Sequence, residues 1–178
     1  MIVYGCRPVL MDASVLVRFL RVLRADLLSR HPRYRFMVTE HIHGQFRDCY
    51  PDQTNGLAVG LAENHVEATE VNAADELETF ARLRDAREFA SAECAAIAAA
   101  HHRHWPLAIE DKTVATLADA HCPGLHIEDS ASLMKALVRA GVLKSSAAND
   151  IRKTWKKHGS TRFPFVGLAD GLAQAHRN

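Results

Sequence analysis

Apolar residues recur at helical spacing along much of the chain. Between residues 14 and 28, Leu16, Leu20 and Leu23 fall three or four positions apart and so share one face of a helix. The same periodicity, or a run of strong helix formers, predicts further helices over residues 75–85, 92–100, 113–120, 130–140 and 146–158, with another opening at 40–46. Residues 49–56 contain turn formers instead and predict a loop.

Short apolar or β-branched runs separate these helices. They predict strands at residues 9–11, 36–39, 65–71, 107–109 and 125–127. Strands that alternate with helices favour a mostly parallel sheet with right-handed crossovers and helices on both faces. The sequence therefore predicts an α/β fold, a three-layer α/β/α sandwich around a central, mostly parallel sheet of five strands.

Two of the predicted helices carry specific expectations. In the helix over 75–85, Leu77 and Leu83 mark the face expected to point inward. The helix over 92–100 consists almost entirely of small apolar residues, so it can pack closely on more than one side. Ser91 stands immediately before that helix and is its candidate N-cap.

Composition is that of a globular protein with a single core. The 178 residues carry a net charge of +1 and are 48% hydrophobic and 24% charged. We expect one domain over residues 1–160 and a C-terminal tail over 161–178. No apolar run has membrane-spanning length, the N-terminus lacks a secretory pattern, and the four cysteines lack CxxC spacing. These features predict a cytoplasmic protein with free thiols and no membrane partner.

Acidic residues follow three of the predicted strands. They are Asp12, Asp111 and Asp129, with Glu128 as an alternative to the last. Glu93 approaches from the small-residue helix. Each aspartate also suits a helix N-cap, and Glu93 suits a first helical turn, so a structural role stays open for every one of them.

Several carboxylates at one sheet edge point to a bound cation. The carboxyl ends of parallel strands share an edge, which is where ligands bind in such sheets. Carboxylates gathered there repel one another strongly unless a cation lies among them. A donor set made of oxygen suits Mg²⁺ or Mn²⁺ rather than Zn²⁺.

Four segments carry a resemblance to a known family. They are LMDASVL with Asp12, SAECAAIAAA with Glu93, LAIEDKTVATLA with Asp111, and HIEDSASLMKALVRAGVL with Asp129. The chain resembles the PIN-domain family over most of its length, and the last three segments come in the family's order and spacing. The resemblance implies a compact PIN-like α/β/α nuclease in which Asp12, Glu93 and Asp111 are catalytic metal ligands. It makes Asp129 a weaker candidate for a fourth metal ligand.

The resemblance also implies cofactor, substrate and partners. Mg²⁺ or Mn²⁺ would be the cofactor and RNA the substrate, which makes the protein a metal-dependent endoribonuclease, a hydrolase of phosphodiester bonds. Many members of the family are the toxin half of bacterial toxin–antitoxin pairs, so an antitoxin protein is one expected partner. A homodimer is the other.

One position departs from the family pattern. Members often carry an acid on the helix after the second strand, where this chain has Gln45. Three interpretations follow: the metal site has fewer acids, nearby Glu40 takes the place of the family acid, or nuclease activity is reduced. The last case leads to the alternative function, a PIN-like nucleic-acid-binding or regulatory module with a degenerate metal site.

Weaker candidates for substrate contact are Ser14 and Lys156. Ser14 lies two residues after Asp12, and Lys156 belongs to the basic end of the last helix, which could follow a phosphate backbone. Trp155 in the same helix is either a stacking platform for a base or a packed side chain. A zinc site built from His101, His102 or His104, or from His41 and His43, is a third hypothesis. These histidines lack cysteine or glutamate partners at ligand spacing, and the position of the first three at a helix C-terminus explains them sufficiently.

Overall fold

The computed structural model describes residues 6–157 and contains one five-stranded, all-parallel sheet. Its strands lie in the order β3-β2-β1-β4-β5. Their bounds are Arg7–Met11, Tyr34–Thr39, Glu67–Thr69, Leu107–Ala108 and Ile127–Glu128 for β1 to β5. Helices cover both faces of the sheet, which confirms the expected three-layer α/β/α sandwich.

Within the described residues, one or two α-helices follow each strand. Their bounds, from α1 to α9, are Ala13–Arg21, Asp26–Ser29, Ile42–Cys49, Thr54–Ala62, Ala74–Ala86, Ser91–Arg103, Lys112–His121, Ser130–Arg139 and Ser145–Lys157. The expected tail over 161–178 lies outside the described residues, as does the boundary at 160. The single domain over residues 1–160 therefore stays a prediction. No helix within 6–157 has the length and apolar character needed to cross a membrane.

Alternation along the central strand divides the interior into two cores. Successive side chains of a strand point to opposite faces of its sheet. Val9 and Met11 of β1 accordingly belong to the core under α1, α8 and α9, whereas Leu10 belongs to the core under α5, α6 and α7. Both faces are buried, which is why the strands are nearly continuous apolar runs rather than alternating ones.

Helix α6 packs closely because its side chains are small. Its residues from Cys94 to Ala100 are almost wholly buried, and it contacts β1, β2, β4 and α3. Alanine lets helix and strand backbones approach without a gap, so the seam keeps the packing density that protein interiors require. The N-terminus of α6 is thereby fixed near the end of β1.

The helix predicted over 14–28 is broken in two. Helix α1 ends at Arg21, and Leu23 adopts a left-handed backbone with φ of 54°. The amides of Leu23 and Arg24 bond back to the carbonyls of Leu20 and Phe19, both at 3.0 Å, which closes the helix end. Helix α2 then restarts, with Leu27 still buried, so the apolar spacing continues across a break that it cannot reveal.

Two further local predictions were wrong. The predicted loop over 49–56 contains a 3₁₀ turn, Pro51–Gln53, followed by the start of α4 at Thr54. Helix α5 turns Glu76 and Thr79 inward together with Leu83, and it leaves Leu77 exposed. The inward carboxylate is compensated, because the Nε of Arg103 lies 2.5 Å from the Oε1 of Glu76.

Candidate active site

Strand order brings the predicted acids to one edge of the sheet. β1, β4 and β5 are neighbours, and Asp12, Asp111 and Asp129 follow their carboxyl ends. The amide of Asp12 donates to the carbonyl of Ala108 at 2.9 Å, which extends the β1–β4 pairing up to the acid itself. The chain order also reverses between β1 and β4, and ligands bind at such a point in open α/β sheets.

Asp12 is both a helix cap and a buried, partly unpaired carboxylate. Its Oδ2 accepts from the amide of Ser14 at 2.9 Å, which caps α1. The residue is only 3% exposed, and its buried Oδ1 has no hydrogen-bond partner among the described residues. Burial raises the pKa of Asp12 above its usual range, and the nearby charge of Asp111 adds to the rise.

Glu93 lies within electrostatic reach of Asp12. Its Oε2 accepts from the amide of Ala90 at 2.7 Å, and Ala90, not the expected Ser91, is the N-cap of α6. Burial, and then the negative charge of Asp12, raise the pKa of Glu93 to about 7, with Asp111 contributing less. The charge of Asp111 therefore acts on both Asp12 and Glu93, and the charge of Asp12 acts on Glu93.

Asp111 is the N-cap of α7, and unlike Asp12 it is exposed to solvent. Its Oδ1 accepts from the amides of Thr113 at 2.7 Å and Val114 at 3.3 Å. Both bonds use the same oxygen, so the cap occupies only half of the carboxylate. As with Asp12, the structural role and a ligand role are compatible.

Asp129 occupies a different environment. It caps α8 by accepting from the amide of Ser132 at 2.7 Å, and it is not among the charges that raise the pKa of Asp12 or Glu93. It lines an open depression of about 350 Å³ at the ends of β4 and β5, together with Glu110 and Lys112. Asp129 thus lies in an open depression, whereas Asp12 is buried.

The two weaker substrate candidates lie in different places. Ser14 adjoins the acids, because its Oγ accepts from the amide of Glu110 at 3.3 Å. Lys156 is exposed on α9. Trp155 beside it is packed rather than free to stack a base, since it is 8% exposed and its Nε1 donates to the carbonyl of Arg18 at 2.9 Å.

Gln45 is half-buried, although its side-chain oxygen is shielded from solvent. The Oε1 of Gln45 has no hydrogen-bond partner among the described residues. Glu40, the proposed substitute, accepts from the amide of Val71 at 3.3 Å, and its charge helps to raise the pKa of Arg103. The carboxylate of Glu40 therefore bonds to the segment that follows β3, and its charge is not among those that affect the pKa of Asp12 or Glu93.

Two residues that the sequence did not suggest are affected by the charges of the acids. Burial, and then the charge of Asp12, raise the pKa of Tyr50, which is 4% exposed. Desolvation, followed by the charges of Asp48 and Glu93, raises the pKa of Cys49. Both lie at the end of α3, whose approach to the end of β1 depends on tertiary packing and has no local sequence motif.

His102, near the end of α6, has structural partners. The ring nitrogens of His102 lie 3.1 Å from Asp75 Oδ2 and 2.8 Å from Thr79 Oγ1. Within residues 6–157, no group of three or more His, Cys, Asp or Glu side chains is arranged to hold a metal ion. This finding weakens the zinc hypothesis, and it also means that the acids do not form a preassembled three-ligand cage.

The chemistry of the acids nevertheless fits a hard divalent cation. A buried carboxylate oxygen without a partner is costly, and a cation would satisfy it. The donors of Asp12, Glu93 and Asp111 are all oxygen, the type that Mg²⁺ and Mn²⁺ prefer. Mg²⁺ in particular keeps several waters and binds through one or two carboxylates, so it does not require a complete protein cage.

Comparison with known proteins gives similarity of fold alone. No family model matches the chain, and no curated protein matches it. The crystal structure of VapBC2 from Rickettsia felis, bound to a DNA fragment from their promoter, is similar with a TM-score of 0.46 and 10% identity, over 68% of this chain and 98% of that one. PAE2754 from Pyrobaculum aerophilum is similar with a TM-score of 0.49 and 15% identity, over 79% of this chain and 95% of that one.

Proposed function

We propose that the protein is a Mg²⁺- or Mn²⁺-dependent endoribonuclease of PIN-like fold that hydrolyses RNA phosphodiester bonds. The observation that carries the proposal is the unpartnered, buried Oδ1 of Asp12 beside Glu93, whose pKa is about 7. A buried carboxylate whose negative charge acts on a second, half-buried carboxylate is a poor structural element and a good cation site. The RNA substrate comes from the resemblance of the acid-bearing segments to PIN domains.

In this proposal the carboxylates of Asp12, Glu93 and Asp111 hold the metal. Bound there, a divalent ion would lower the pKa of an attacking water and stabilise the charge that develops on the phosphate. The protein keeps the ligands rigid, since Asp12 and Asp111 each use one oxygen as a helix cap and retain the other. Asp129 stays a candidate for a fourth ligand, one strand further along the edge.

Substrate contacts outside the metal ligands are assigned to two side chains. Ser14 lies beside Asp12, so its hydroxyl is close enough to the acids to meet a phosphate oxygen. Lys156 would contact the RNA backbone away from the acids. Removal of the Lys156 charge should therefore weaken RNA binding by the same factor for all RNA sequences and reduce the salt dependence of the affinity.

The second candidate function is a PIN-like binding or regulatory module with a degenerate metal site. Gln45 favours it, because a neutral side chain with a buried, unpartnered oxygen occupies the place of a family acid. In either case, the two protein partners that we propose are an antitoxin, which the family resemblance implies, and a second copy of this chain. Light scattering after size-exclusion chromatography distinguishes the homodimer from the monomer.

A cleavage assay with matched variants tests the proposal. Labelled single-stranded RNA is incubated with Mn²⁺ and with the wild type, Asp111→Asn or Asp150→Asn. Asparagine also caps helices, so Asp111→Asn should fold and yet lose cleavage. Asp150 is exposed and pairs with Lys153, so Asp150→Asn should cut at the wild-type rate.

Full cleavage by Asp111→Asn would overturn the site assignment. A wild type that binds RNA without cutting it at any Mn²⁺ concentration would favour the binding module.

A further inference from the structure

Glu110, the residue before Asp111, lies at the centre of a polar network. Its Oε1 lies 3.1 Å from the Nη2 of Arg18, and its Oε2 accepts from the Oγ and amide of Ser130 at 2.7 and 3.3 Å. Arg18 also donates to the Oγ of Ser130 at 3.2 Å, which closes a triangle of three side chains. We call this set the Arg18–Glu110–Ser130 triangle.

The triangle is more rigid than an ordinary surface ion pair. The side chains of Arg18 and Glu110 are each 24% exposed, and Ser130 is fully buried. The guanidinium of Arg18 lies over the ring of Trp155 at 5.5 Å. Exposed pairs contribute little because their long side chains lose entropy on pairing, whereas here packing and multiple hydrogen bonds hold both charges.

The triangle connects the elements that carry two of the proposed metal ligands. Arg18 is on α1, whose N-cap is Asp12, and Glu110 is joined by one peptide bond to Asp111. A second link runs alongside, since the amide of Glu110 donates to the Oγ of Ser14 at 3.3 Å. Ser130 adds the N-terminus of α8, so three elements meet at one carboxylate.

We propose that Glu110 is a positioning residue that, through Arg18 and Ser130, holds Asp111 in register with Asp12. Both oxygens of its carboxylate already have protein donors, so we assign it a role through its neighbour rather than on a metal or substrate. The inference rests on the proposed function, because it explains how a site without a preassembled cage keeps its ligands in place. Partners that orient ligands in this way typically change metal affinity by about 10- to 100-fold when removed.

The test compares Glu110→Gln with Asp26→Asn in the full-length protein. Glu110→Gln keeps the shape of the side chain and removes the charge that pairs with Arg18. Asp26→Asn removes a somewhat more exposed carboxylate, in α2, which pairs with Arg24 at 2.8 Å and with Arg30 at 3.5 Å. Three quantities are measured for each variant: the Kd for Mn²⁺, kcat and KM for RNA cleavage, and the backbone amide shifts of the metal-free protein.

For Glu110→Gln we expect a Kd for Mn²⁺ raised at least about tenfold, a lower kcat and an unchanged KM for RNA. In the metal-free protein the amides of Thr113 and Val114, which Asp111 caps, should shift. Asp26→Asn should leave all of these at wild-type values. Arg18→Lys should lose less Mn²⁺ affinity than Arg18→Met, because the lysine keeps a cation beside Glu110.

Two results would overturn the inference. One is a Glu110→Gln protein that loses only thermal stability, with Mn²⁺ affinity and amide shifts as in Asp26→Asn. The other is equal affinity in the two Arg18 variants. A wild type that neither binds Mn²⁺ nor cuts RNA refutes the proposed function instead, and the amide shifts of the metal-free protein then still decide whether Glu110 positions Asp111.

Discussion

The two oxygens of Asp12 have different surroundings, and this difference underlies the proposed site. One oxygen serves the fold as an N-cap, and the other is buried with no partner among the described residues. A cap alone would not require burial of the second oxygen, since most N-cap carboxylates lie at the surface. The cost of that arrangement is explained if the second oxygen binds a cation.

Glu93 gives the site a pH dependence that can be measured without metal. Its folded-state pKa of about 7 exceeds its ordinary value of 4.5, so between these pH values the folded protein holds a proton that the unfolded chain has released. The free energy of unfolding of the metal-free protein should therefore fall as the pH rises from 4.5 to 7, by roughly 2–3 kcal/mol. Urea titrations in chelator at pH 5, 6, 7 and 8 measure this slope.

Glu93→Gln should flatten that pH dependence and raise the stability of the metal-free protein at pH 8. Glu78→Gln, a change at an exposed glutamate of α5, is the matched control and should keep the wild-type slope. A wild-type slope retained in Glu93→Gln would show that another group is responsible, and would weaken the electrostatic description of the site.

At the scale of elements, the end of α1 shows how a backbone requirement can escape a sequence pattern. Leu23 is 89% exposed and has a left-handed backbone, a conformation that glycine adopts more easily. Leu23 therefore has a strained backbone conformation, and burial of its side chain does not compensate for that strain. The apolar spacing that predicted one helix over 14–28 was produced by two helices that pack on the same core.

Leu23→Gly should stabilise the protein by up to about 1 kcal/mol, because removing Cβ relieves the left-handed strain and little packing is lost. Leu77→Gly is the matched control, since Leu77 is also an exposed leucine but lies inside α5. That change should destabilise by about 1 kcal/mol, the usual cost of glycine within a helix. Thermal unfolding of both variants checks the pair, and a lower melting temperature for Leu23→Gly would contradict the expectation.

At the scale of the molecule, the sheet and its acids were predictable because they depend on local patterns. Buried parallel strands are apolar runs, and the residues that follow them lie at one edge whatever the details of packing. The inward face of α5 was mispredicted because Glu76 is buried against Arg103, a partner 27 residues away. The open surroundings of Asp129, the effect of Asp12 on Tyr50 and the ion pair of Glu110 with Arg18 likewise depend on how helices pack, and no spacing in the sequence encodes them.

The central claim is that the carboxylates at the end of β1 bind a divalent cation. Calorimetric titration of Mn²⁺ into the wild type, Asp12→Asn and Asp150→Asn at pH 8 tests it most directly. The account predicts saturable binding to the wild type and to Asp150→Asn, and loss of that binding in Asp12→Asn, which should still fold because asparagine preserves the cap. Equal Mn²⁺ binding by Asp12→Asn and the wild type would contradict the account.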